Sequence, residues 1–188
     1  MISTLTVVFD ANVFFSIRLT SLLLELAMSG LFRARWSADI HREWMTAVSE
    51  HRGIAIEQLA GRREAMDLAV PDGIVSGYED FMTGLYLPDP SDRHVLAAAI
   101  RCGADAIVTF NTKDFPEHAI SKFGLRTQVP DDFILDIEDS DPGVLIDAAR
   151  NDLAHYQNPP LTIDEYIHDL YNCKVPKTAG YLTKSQWF

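Results

Sequence analysis

Basic residues are in short supply: 16 lysines and arginines face 27 aspartates and glutamates, leaving a formal charge of −11 across 188 residues. That shortage argues against the basic footprint with which many proteins hold nucleic-acid phosphates, but charge alone decides nothing. It does not exclude phosphate chemistry. Acids gathered around a metal add to the negative count, and a bound cation inverts the local electrostatics. The acidic stretch of Asp131, Asp132, Asp136, Glu138, Asp139 and Asp141 is expected to lie away from such a site. An acidic chain also suits a basic protein partner.

Cysteine is nearly missing. Cys102 and Cys173 stand alone without metal-type spacing, as in a reducing compartment, and both are expected to be packing thiols. No apolar run approaches the ~18 residues of a membrane span. The N-terminus lacks the basic start and small-residue cleavage site of a signal peptide, so cytoplasmic residence is expected. Internal repeats and low-complexity segments are absent, and the length suits one core with a small appendage.

What remains is a regular alternation. The apolar run Leu5–Phe9 reads as a strand, and Asn12–Met28 as a helix at a 3.6-residue period, stopped by Gly30. A second strand covers Leu31–Trp36. Ser37 is placed to cap a helix that carries Glu43 and ends near Gly53. A more polar helix follows over Ile56–Leu68, then a short strand at Ile74-Val75 and a helical turn from Tyr78 to Leu85. After Pro88-Asp89-Pro90, Ser91 is expected to cap an apolar helix starting at Asp92, followed by strands at Ala106–Phe110 and Gly124–Val129. This order predicts a parallel sheet covered by helices on both faces.

Asp139–Gly143 reads as a boundary. Asp141-Pro142 has the form of a helix start, Asn158-Pro159-Pro160 of its end, and Thr162 with Glu165 of a capping box for one more helix to about Asn172. The tail is thus expected to be a two-helix appendage. Its aromatics Tyr156, Tyr166, Tyr171, Tyr181, Trp187 and Phe188 are expected to pack on the chain itself.

Four acids stand where such a fold gathers side chains. Asp10 ends the first strand, Asp92 opens the apolar helix, Asp114 follows the fourth strand, and Glu43 lies on a helix beside Ile40 and Trp44. Ligands of parallel sheets bind outside the carboxyl ends of the strands. Carboxylates converging there repel one another unless a hard cation neutralises them, and oxygen ligands select Mg²⁺ or Mn²⁺. Each residue also has a plainer use: Asp10 as a helix cap, Asp92 as a first-turn acid favoured by the helix dipole, Glu43 as a solvated surface acid, Thr109 and Asn111 as turn formers. His94, next to Asp92, is expected to point elsewhere.

Three segments in order carry a resemblance. Phe9-Asp10-Ala11-Asn12-Val13, the stretch Pro88–Ala99 with Asp89, Ser91 and Asp92, and Thr109–Pro116 with Asn111, Lys113 and Asp114 are similar to the blocks of the PIN-domain nucleases. They most resemble the VapC-type toxins of bacterial toxin–antitoxin pairs, over roughly residues 5–137. The resemblance implies a three-layer α/β/α domain around a central parallel sheet, spanning residues 1–138, with a C-terminal helical extension at 139–188. It implies an endoribonuclease dependent on Mg²⁺ or Mn²⁺, with an acidic quartet of Asp10, Glu43, Asp92 and Asp114. Asp10, Asp92 and Glu43 would hold the metal, and Asn12, Thr109, Asn111, Arg93 and Lys113, with Arg42, would face the RNA. A cognate antitoxin is the implied partner, with homodimerisation left open. Asn111 departs from the pattern, since many PIN domains carry an acid there. That leaves the choice among Asp89, Asn111 and Asp114 for completing the site open.

Other classes fit less well. A phosphatase with an aspartate nucleophile needs a second acid two residues beyond Asp10, where this chain has Asn12. A response-regulator receiver needs paired acids near the first strand. A catalytically degenerate PIN domain that only binds protein is the non-enzymatic alternative, favoured by Asn111 alone.

Overall fold

The computed structural model describes residues 4–185. Trp187 and Phe188 lie outside the described residues. Five strands, β1 (Leu5–Phe9), β2 (Phe32–Ser37), β3 (Ile74–Val75), β4 (Ala106–Val108) and β5 (Arg126–Gln128), form one sheet in the order β3-β2-β1-β4-β5. Every pairing is parallel, with Val7 opposite Ala34 on one side and opposite Ala106 on the other. Successive side chains of a strand point to opposite faces. Val7, Val8 and Phe9, like Ala106, Ile107 and Val108, are all buried, so helices cover both faces. This is the expected three-layer architecture.

The chain winds outward from β1 to β2 and β3, then crosses back to β4 and β5 on the other side. The winding direction therefore reverses between β1 and β4, and the crevice outside their carboxyl ends is the place for a ligand.

The helices are α1 (Ile17–Met28), α2 (Ala38–Arg52), α3 (Ala60–Ala69), α4 (Arg93–Cys102), α5 (Glu117–Ile120), α6 (Pro130–Ser140), α7 (Val144–Ala154), α8 (Ile163–Asn172) and α9 (Pro176–Lys184). Ser37 caps α2 through Ile40 N–H, and Gly53 stops it with φ 64, as anticipated. Other local expectations need correction. The single helix expected over Asn12–Met28 is divided: Asp10 caps a 3₁₀ turn at Ala11–Phe15, and the Ser16 hydroxyl starts α1 anew. The helix expected over Ile56–Leu68 begins as a 3₁₀ turn at Ile56–Leu59. Ser91 caps nothing. The Asp89 carboxylate accepts from Ser91 N–H and opens a 3₁₀ turn at Pro90–Asp92, after which α4 begins.

The C-terminal region differs from a two-helix appendage. Three helices, α7, α8 and α9, lie beyond residue 140, and the expected division between residues 138 and 139 falls within α6. On its sheet side α6 places Phe133 edge-on against Phe9 and Phe32, with ring centroids 5.6 and 4.9 Å apart. On its other side it supplies caps. Asp131 accepts from the N–H groups of Lys177 and Thr178 at the start of α9, and from the Thr178 hydroxyl. Glu138 accepts from Gly143 N–H and Leu145 N–H at the start of α7, and from the Tyr181 hydroxyl. Pro142 is therefore not the first helical residue: it stays in the turn and Glu138 does the capping.

Thr162 and Glu165 form the expected capping box on α8. Tyr166 of α8 is fully buried and donates to Asp152 at 2.8 Å, and the Arg18 guanidinium lies 3.9 Å from the Tyr156 ring centre. Tyr171 is exposed. Leu145, Tyr166, Leu170 and Leu182 belong to the same continuous core as Val7 and Phe9.

Candidate metal-binding active site

Asp10 sits one residue beyond β1, where its own N–H still bonds to Val108 O at 3.0 Å and ties the ends of β1 and β4 together. The residue is 3 % exposed, and its carboxylate accepts three hydrogen bonds: from Ala11 N–H, the Asn12 side-chain amide and the Thr109 hydroxyl. The Thr109 hydroxyl donates to Asp10 and accepts from Asn12 and from Asn111 N–H, which uses its full capacity. Asn12 also accepts from Phe110 N–H at 3.1 Å. Thr109 is fully buried, so it stands behind Asp10 as a brace and not at a substrate surface. Asn12 is likewise spent on Asp10 and the loop after β4, and position 12 offers no second acid.

Burial outweighs these donors. It pushes the Asp10 carboxyl up to about 6; the Thr109 bond opposes the rise, Glu43 adds to it, and Ala11 N–H and His94 oppose it. Asp92, half-buried just before α4, is pushed up to about 7, first by burial and then by the negative charges of Asp10, Asp114, Asp89 and Glu43. The four predicted acids thus share one electrostatic neighbourhood at the mouth of β1 and β4.

Glu43 arrives on α2, whose angle is fixed by a relay of ring nitrogens. The Trp44 indole N–H donates to His41 Nδ1 at 2.9 Å, so Nδ1 is the acceptor and Nε2 carries the proton. Nε2 then donates to Asp67, which also accepts from the Trp36 indole at 3.0 Å. Burial lowers the His41 pKa, in keeping with the neutral ring. Two residues beyond His41, Glu43 points outward and pairs with His94 Nε2 at 3.1 Å. This corrects the expectation that His94 faces away: α4 turns it across to α2.

The remaining candidates border this cluster. Asn111 is exposed and its amide donates to Asp114. Lys113 is exposed on the turn Thr112–Asp114. Arg93 begins α4, and its Nε is buried with no hydrogen-bond partner among the described residues. Arg42 is held by Asp39 instead of facing the cluster freely. Asp89 is exposed and engaged with Ser91.

A half-buried carboxylate raised by the charges of neighbouring acids, as Asp92 is, belongs to a group of oxygen donors with the chemistry of a hard divalent cation site. Among the described residues no three His, Cys, Asp or Glu side chains stand grouped as a ready metal cage. The fit is therefore one of donor type and charge.

A cleft of about 340 Å³ adjoins the cluster. Asn12 and Glu43 form the side toward the acids, with Phe15 and Phe110 as apolar walls and Asn172, Cys173 and Lys174 from the corner between α8 and α9 closing it. Sequence reasoning missed this corner, since nothing near residue 174 resembles a motif. Cys173 makes a 2.8 Å contact with the Ser16 hydroxyl, as a packing thiol does.

Comparison with known proteins gives a consistent picture. The PIN domain family model matches residues 6–113, and the model of the VapC50 C-terminal domain matches residues 130–184. A Mycobacterium tuberculosis protein named "Putative ribonuclease VapC50" is 34% identical over 120 residues, which span 60% of this chain and 68% of that protein. No solved structure matches the chain significantly. Fold, family models and relative agree, and the chain belongs to the PIN-domain family.

Proposed function

We propose that the protein is an endoribonuclease dependent on Mg²⁺ or Mn²⁺, acting as the toxin of a toxin–antitoxin pair. The observation that carries this reading is the crowding of negative charge at the sheet's switch point, where Asp10, Asp114 and Glu43 all push Asp92 up and Glu43 pushes Asp10 up. The name of the M. tuberculosis relative and the family membership point the same way.

Asp10, Asp92 and Glu43 would hold the cation, with Asp114 adding negative charge. When bound, the cation supplies charge neutralisation and Lewis acidity toward a phosphodiester. The protein's part is positioning. Thr109 and Asn12 lock the Asp10 carboxylate, the His41 relay fixes the helix that carries Glu43, and His94 orients the Glu43 carboxylate. Arg93 and Lys113 offer positive charge to phosphates flanking the scissile bond. Water is the nucleophile, and one P–O bond of the RNA is broken. The phosphatase alternative is disfavoured because Asn12 supplies an amide already engaged with Asp10.

The partners in this reading are RNA and a small antitoxin with a basic segment, and the protein works in the cytoplasm. Among the described residues no helix is long and apolar enough to cross a membrane. We also retain a nuclease unit at residues 1–138 and a helical extension at 139–188, joined through α6. The test is cleavage of RNA in Mn²⁺ by wild type and Asp10→Asn. Loss of cleavage in the variant supports the proposal, and equal cleavage by both ends it.

A further inference from the structure

The α8–α9 corner contains a local conflict. Tyr171 O accepts from Lys174 N–H and Leu170 O from Val175 N–H, the paired bonds of a helix stop in which glycine is the usual left-handed residue. Here that residue is Lys174, at φ 63 the one non-glycine with left-handed backbone among the described residues. A side chain retained at a position that favours glycine points to a use for that side chain.

The Lys174 ammonium lies 5.9 Å from the centre of the Phe110 ring, inside the cleft that opens past Asn12 and Glu43 onto the acids. Phe15, the other phenyl ring of the lining, has the Arg52 guanidinium 5.9 Å from its centre, though Arg52 itself lies outside the lining. Two aromatic walls with the Lys174 ammonium in the same lining, in a chain so short of cations, complement a nucleotide: a flat base for the rings and a phosphate for the charge. Only an unpaired nucleotide can turn its base out to such rings.

We propose that the C-terminal region completes the substrate groove: Lys174 binds a backbone phosphate of single-stranded RNA while the adjoining base lies against Phe110 and Phe15. Lys174 is then a substrate-binding residue supplied from outside the segment matched by the PIN domain model. This rests on the ribonuclease reading above.

The test compares wild type, Lys174→Gly and Lys174→Arg in the full chain. Three quantities are measured: Mn²⁺-dependent cleavage of a pool of randomised 12-nucleotide RNAs, anisotropy binding of that pool in an Asp10→Asn background, and melting temperature. Lys174→Gly should lower kcat/KM and RNA affinity about tenfold, the loss of one charge-assisted contact. It should reduce the salt slope of binding by about 0.7, as one fewer phosphate contact predicts. It should also raise the melting temperature by about 2 °C, because glycine suits the left-handed position. Lys174→Arg should keep most of the binding. A purely structural residue could not give weaker RNA binding together with a more stable fold. Unchanged binding and cleavage in Lys174→Gly would overturn the proposal. Weakened binding by Lys174→Gly in a wild type that cleaves no RNA would refute the nuclease reading and leave the RNA groove standing.

Discussion

Two regions of this molecule bury or half-bury carboxylates in contrasting surroundings. In the C-terminal half, Asp131, Glu138 and Asp152 each face donors: helix-start N–H groups and a threonine hydroxyl for Asp131, N–H groups and a tyrosine for Glu138, a serine and a tyrosine for Asp152. At the mouth of β1 and β4, Asp10 and Asp92 face other acids as well. Burial alone does not make a site. A carboxylate satisfied by donors is a structural tie, whereas carboxylates facing one another have the donor chemistry of a cation site.

Asp10→Asn sharpens this contrast most. It should lower Mn²⁺-dependent RNA cleavage on the order of 10²–10³-fold, the scale of losing one transition-state electrostatic contact, while the circular dichroism spectrum stays unchanged. Glu138→Ala should do the reverse. Two helix-start N–H groups and the Tyr181 hydroxyl lose their acceptor, so urea denaturation should show a loss of about 2–4 kcal/mol. Cleavage per folded molecule should hold. If Glu138→Ala instead removed activity from a fully folded protein, the division between tying and reacting acids would be wrong.

A pH series isolates the strand-end pair, because Asp152, which burial also pushes up, is common to wild type and variant. Asp10 and Asp92 rise from 3.8 in the free residue to about 6 and about 7 in the folded metal-free chain. The folded state therefore binds protons more tightly than the unfolded state. The stability this gives is complete below about pH 4 and lost as pH rises through 6 and 7. Differential scanning calorimetry should show wild type losing stability relative to Asp10→Asn/Asp92→Asn between about pH 4.5 and 8. His41, whose pKa burial lowers, acts in the opposite sense but equally in both proteins. Mn²⁺ should restore the lost stability at pH 8 and have little effect at pH 4.5, where protons compete with it.

The smallest expected change is Tyr166→Phe. Asp152 would keep its Ser21 partner and lose one hydroxyl, costing about 1–2 kcal/mol by urea denaturation with no change in cleavage.

The frame of the fold was legible in the sequence wherever its cause was local. Apolar runs marked β1 and β4, Ser37 and Gly53 bounded α2, and Thr162 with Glu165 announced α8. Acids following strands marked the switch point, because a parallel sheet presents its strand ends to one crevice. Features set by distant partners were hidden. Asp131 and Glu138 looked like surface charge because Thr178 and Tyr181 lie more than 40 residues onward. Ser16 divides a helix whose apolar period runs straight through it, since its hydroxyl caps α1 while Asp10 holds the turn before. The pairing of His94 with Glu43 depends on how α4 lies against α2, and Lys174 reaches Phe110 only through the tertiary fold.

The central claim is that the acids at the ends of β1 and β4 make one cation site. Isothermal titration of Mn²⁺ into the metal-free protein near pH 7.5 tests it most directly. Saturable binding in wild type that either Asp10→Asn or Asp92→Asn abolishes is the predicted result; identical heats from all three proteins would contradict it.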